Sequence, residues 1–137
     1  MKTLPTLVIA AALASLGSAF AQAPAKAVAP PAVQKEFDGF IGRFRAALKV
    51  NDPAAVAAMT KLPYMADASI ADAAQFRAKA WPRDFGAKNR ACLQRAKPVY
   101  DRDGNRNEIY AIACGGSIFT FTRTPAGFQL TDVDVAD

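Results

Sequence analysis

The chain has 137 residues, a formal net charge of +5 and no histidine. That length suits one small domain with a single core. The missing histidine excludes Ser-His-Asp and Cys-His catalysis and imidazole-based metal centres, so any chemistry must come from carboxylates, Tyr, Lys or Arg. Two cysteines alone are too few for a structural zinc site, and no metal or other cofactor is expected.

The opening stretch, MKTLPTLVIAAALASLGSAFAQA, has a basic Lys2, an apolar run from Leu7 to Leu16, and small residues leading to two A-x-A sites. This is the pattern of a secretory signal peptide, too short for a comfortable membrane span. Cleavage after Ala21 uses Ala19-Phe20-Ala21, giving a signal peptide at 1–21. Residues 22–32 are Ala/Pro-rich and read as an extended tether. The remaining 33–137 form the folded domain, and the expected location is the periplasm or the medium. Loss of Lys2 leaves sixteen basic side chains against twelve acidic ones. Nine of the basic residues fall between Arg77 and Arg106, a patch suited to acidic ligands, anionic lipid or acidic proteins, or simply a solvated face. An exported chain without aromatic-interleaved basic motifs is not expected to bind nucleic acid.

Val33, Phe37, Phe40, Ile41, Phe44, Ala47 and Leu48 recur at helical spacing and predict one amphipathic helix with a buried aromatic stripe. Asp52 and Pro53 then start a short second helix, which ends before Pro63. Ser69 with Asp72 reads as a capping-box-like start to a third helix through Trp81, stopped by Pro82. After residue 90 the pattern turns to strands. ACLQRAKPVY and NEIYAIAC flank DRDGNR, with Asp103-Gly104 as the expected hairpin tip. Gly115-Gly116 marks a bulge or bend, SIFTFTRT alternates, TPAG turns, and FQLTDVDV is the last strand. Helices first and hairpin-linked strands later predict an α+β domain: a helical hairpin and a third helix packed on a curved antiparallel sheet.

FIGRFRAALKVNDPAAVAAMTKLPY, a third helix, and strands ending in TPAGFQLTDVDV together resemble the nuclear transport factor 2-like superfamily, also called ketosteroid-isomerase-like or SnoaL-like. The resemblance covers most of residues 33–135. It implies a sheet curved around a long first helix, leaving a cone-shaped pocket in which the enzymes place an Asp or a Tyr. It also implies a sheet whose outer face can dimerise; Ile118, Thr120, Thr122 and Thr131 would lie there, compatible with a monomer or a homodimer. No catalytic motif of the superfamily maps residue by residue onto this chain.

An oxidising compartment favours a structural disulfide between Cys92 and Cys114. In a hairpin with Asp103-Gly104 at its tip, Cys92 falls within one residue of facing Cys114, inside disulfide reach. A redox pair or free reactive thiols are the rival readings, although the spacing is not C-x-x-C.

One carboxylate could act as a base. In the last hairpin Phe119 would face Asp132 on the inner side, raising its pKa beside the ring. Alternatively, a bulge near Thr131 turns Val133 and Val135 inward and leaves Asp132 and Asp134 in water. Tyr64, Trp81, Phe85, Tyr100, Tyr110 and Phe119 are candidate pocket aromatics, and Arg43 and Asp67 candidate polar groups beside them. The expected function is a non-catalytic exported domain that binds a small molecule or an envelope protein. The alternatives are a small lyase or isomerase using Asp132, and an envelope interaction or toxin-immunity protein.

Overall fold

A computed structural model of the chain describes residues 27–136. The expected signal peptide and residues 22–26 of the tether lie outside the described residues.

Helix α1 spans Pro31–Lys49, so it begins two residues inside the expected tether. Pro30 is extended, and Pro31 brings a ring-fixed φ to the first turn, where a missing N–H costs nothing. Its buried residues are the predicted stripe, Val33 to Leu48, without exception. Asn51 reverses the chain at φ 53°, a conformation Asn tolerates. Asp52 caps α2 (Pro53–Ala58), accepting from the Ala55 N–H at 3.0 Å.

The third helical run departs from expectation at both ends. Its cap is Asp72, which accepts from the Gln75 N–H, while Gln75 Oε1 accepts from the Ala71 N–H. Ser69 instead donates from its backbone and its hydroxyl to Asp67 in a local turn. The run comprises α3 (Ala73–Gln75), a π-turn (Phe76–Ala80) and α4 (Trp81–Asp84). Pro82 therefore does not stop it. The wide turn lets a fresh α-turn start at Trp81, and Pro82 occupies an opening position where it leaves no donor unpaired.

The largest correction concerns residues 91–95, expected as the start of a strand over 91–100. They belong to α5 (Ala87–Arg95), in which only Leu93 is fully buried. Ala, Lys, Arg, Leu and Gln dominate this stretch, all good helix formers, and Leu93 supplies the anchor. The sheet begins at β1 (Val99–Arg102) and continues with β2 (Glu108–Cys114), β3 (Ser117–Thr124) and β4 (Gly127–Val135). It is an open antiparallel meander in sequence order. Tyr100 faces Tyr110, and Asp103–Asn107 form a five-residue loop instead of a two-residue turn. The Asp103 carboxylate organises that loop by accepting from the Asn105 and Asn107 N–H groups. Gly115-Gly116 is the tight turn between β2 and β3, with Gly115 at φ 57°.

The α+β expectation holds. Phe37, Phe40 and Phe44 of α1 pack on Tyr110, Phe121 and Phe128 of the sheet, with ring centroids 3.7–6.2 Å apart. A second aromatic layer joins Tyr64, Phe76, Phe85, Trp81 and Phe119 under the π-turn. The two layers fill the space between the helices and the inner sheet face. Ile118, Thr120 and Thr122 alternate with the inward Phe119 and Phe121, so they lie on the outer face as expected.

Candidate functional site

Cys92 and Cys114 are disulfide-bonded, with Cα atoms 5.7 Å apart. The bond joins α5 to the end of β2 and so ties a helix to the sheet; it does not close a hairpin.

Between Thr120 and Phe121 the β3–β4 register shifts by one residue. Phe121 faces Leu130, but Phe119 faces Val133 and Thr120 faces Asp132. The bulge alternative is therefore the observed one. Asp132 is exposed on the outer side, away from the aromatic layers, and the pocket base postulated for a lyase or isomerase is not there. Val133 turns inward and is half-buried, whereas Val135 sits at the strand end, 84% exposed.

The other candidates separate into three groups. Tyr64, Trp81 and Phe119 are brought together through Phe76 and Phe85. Tyr64 is buried, and its hydroxyl donates to Asp84 Oδ2 at 2.9 Å. Burial first, then the Asp84 charge, pushes its pKa well above the tyrosine range. Tyr110 lies in the other layer, with Tyr100 5.3 Å away. Arg43 and Asp67 are exposed and join neither group. The two hydrogen bonds from Ser69 hold the Asp67 carboxyl below its ordinary value.

Tyr110 leads to the concavity with the most chemistry. A groove of about 470 Å³ runs between the start of α1 and the β1–β2 pair. Phe37 and Tyr110 form its floor, stacked at 3.7 Å and 6°. The Tyr110 hydroxyl donates to Gln34 Oε1 at 2.8 Å, and Gln34 Nε2 donates to Asp38 Oδ1 at 2.8 Å. Tyr100 and Pro98 make one wall, with Lys97 and Arg45 at the rim. Arg45 is positioned by donating to the carbonyls of Leu93 and Ala96 at the end of α5, both 2.8 Å. Burial and the neighbouring Asp38 charge push the Tyr110 phenol up to about 12. At neutral pH Tyr64 and Tyr110 are thus hydrogen-bond donors and not bases.

Gln34, Asp38, Arg45 and Lys97 were not among the sequence candidates. Gln34 and Asp38 sit one helical turn apart beside Phe37, a spacing that also fits an ordinary solvated face. The meeting of Tyr100 with Tyr110 in the groove depends on the β1–β2 register, which the Asp103-Gly104 signal misplaces by three positions.

No protein-family model matches the chain, and no curated protein or solved structure does either.

Proposed function

We propose that this is an exported, non-catalytic binding domain of the nuclear transport factor 2-like type, which holds a small molecule in the groove between α1 and β1–β2. The observation that carries this reading is the Phe37–Tyr110 floor with its polar chain through Gln34 to Asp38. An apolar floor with a few convergent polar groups, in a volume of several hundred Å³, is the usual form of a small-ligand site. The occupant has a flat apolar body to lie against Tyr100 and Tyr110, and an anionic end for Lys97. The disulfide supports export, because such bonds persist in oxidising compartments. Among the described residues no helix is long and apolar enough to cross a membrane. The element order, a helical hairpin and a third helical run before a meander, supports the superfamily reading.

The test is an amide NMR titration of the mature protein with a set of aromatic carboxylate fragments. Saturable shifts centred on Gln34, Asp38, Lys97, Tyr100 and Tyr110, weakened in Lys97→Ala, are the expected result. Shifts confined to other surfaces, or unchanged in Lys97→Ala, would overturn the groove as the site.

A further inference from the structure

Helix α5 is a cationic helix without a carboxylate of its own. Lys88, Ala91 and Arg95 lie on one exposed stripe, and Arg90 reaches back across the α4–α5 junction. A nine-residue helix is about 13.5 Å long, so these charges lie close enough to act on one partner. Between Arg77 and Lys97 the single acidic residue is Asp84. It is already engaged by Arg83 at 3.1 Å and by the Tyr64 hydroxyl. Among the described residues Lys88, Arg90 and Arg95 form no ion pair.

Two of the arginines at the junction are held against rings. The Arg90 guanidinium lies 5.8 Å from the centroid of half-buried Trp81 and donates to the Phe85 carbonyl. Arg83 lies 5.8 Å from the Tyr64 centroid. The Arg83 fork is taken by Asp84 through Nε and Nη2, whereas Arg90 commits only Nη1 to the protein, so its Nε–Nη2 edge is the planar fork that matches a partner carboxylate. The helix itself is fixed by buried Leu93, by the disulfide at Cys92, and by Arg45 on its last carbonyls.

We propose that the outward face of α5, with Arg90 at the α4–α5 junction, is a docking surface for an acidic polypeptide segment rich in Asp and Glu. Charge complementarity selects an anionic partner. The surface offers nothing to insert into a bilayer. Among the described residues the exposed large apolar side chains are Val28, Val50, Met65, Val99 and Val135, none of them here. A carboxylate-bearing chain fits the remaining features: the Arg90 fork beside half-buried Trp81 and the exposed Lys88–Arg95 stripe on a fixed helix. This surface is distinct from the ligand groove and does not depend on its occupant.

Trp81 is the single tryptophan and reports on the junction. The experiment titrates an oligoglutamate peptide into the disulfide-intact protein and follows Trp81 emission, in parallel with phosphatidylglycerol vesicles. Three variants accompany it: K88E/R95E on α5, R102E/R106E at the exposed β1–β2 hairpin, and Arg90→Lys. Expected are a saturable emission change with oligoglutamate that weakens as salt rises, an affinity loss of about tenfold or more in K88E/R95E, and little loss in R102E/R106E. Arg90→Lys keeps the charge but removes the fork, and should also bind more weakly. Equal losses in both double variants would reduce the effect to net charge and overturn the proposal. So would tighter binding to vesicles than to the peptide, or no response of Trp81.

Discussion

Cys92, near the middle of α5, is bonded to Cys114, the last residue of β2. The two are 22 positions apart, and the segment between them contains the end of α5, all of β1 and the five-residue hairpin loop. The bond therefore restrains the unfolded chain over a loop that the native fold fills with structure.

Removing that restraint should destabilise the domain without dissolving its core. A Cys92→Ser/Cys114→Ser variant should lose about 3 kcal/mol on the chain-entropy model, a fall in Tm of roughly 10–20 °C for a domain of this size. Leu93 and the Arg45 contacts should keep α5 docked, so the far-ultraviolet spectrum at low temperature should be unchanged. Thermal melts with and without reductant check this. An unchanged Tm would mean that the bond adds nothing to the native fold.

Stability should decline in alkali. Tyrosines in the unfolded chain release their protons near the ordinary value of 10.0, whereas Tyr110 holds its proton to about 12 and Tyr64 beyond that. Above pH 10 the unfolded state binds fewer protons than the folded one, so unfolding becomes easier as pH rises. Below pH 10 this contribution is complete and constant. Urea unfolding between pH 8 and 12 should show a falling limb that is shallower in Tyr110→Phe. Absorbance of the tyrosinate form should show Tyr64 and Tyr110 titrating late. A flat alkaline limb in the parent protein would contradict both assignments.

Arg43 and Phe44 are neighbours with opposite fates. Phe44 is completely buried, with its ring edge-on to Phe121 at 5.1 Å, while Arg43 is exposed. Phe44→Ala should cost about 3–5 kcal/mol. Arg43→Ala should stay within roughly 0.5 kcal/mol and leave the groove's fragment shifts unaltered. Chemical denaturation of the pair measures the contrast, and comparable losses would show that the α1 stripe is misplaced.

The legible parts of this fold were those governed by one strong local signal. The α1 stripe was readable because seven apolar side chains repeat at a single spacing. Asp52 ahead of Pro53 was readable because cap and proline point to the same start. Residues 91–95 were misread as strand because two signals competed. Cysteine pairing and Asp103-Gly104 favoured a hairpin, while a helix-forming but weakly apolar sequence carries little periodicity beyond Leu93. Pro82 misled for a different reason: a π-turn is a tertiary accommodation with no sequence signature of its own. The site suffered most, since Tyr100 and Tyr110 meet only in the true register.

The bulge opposite Thr120 has an effect beyond relocating one carboxylate. β4 is an edge strand whose free side is covered by the segment from Met59 to Lys61 around Leu130 and by Met65, whose Sδ accepts from the Val133 N–H. The end of the strand reads Asp132, Val133, Asp134, Val135, with both acids exposed on either side of the Met65 contact. Two copies aligned edge to edge would bring these negative charges together. The shift in register thus equips the end of the sheet with a repulsive guard against fibril-like stacking, in a chain whose alternating strands would otherwise invite it.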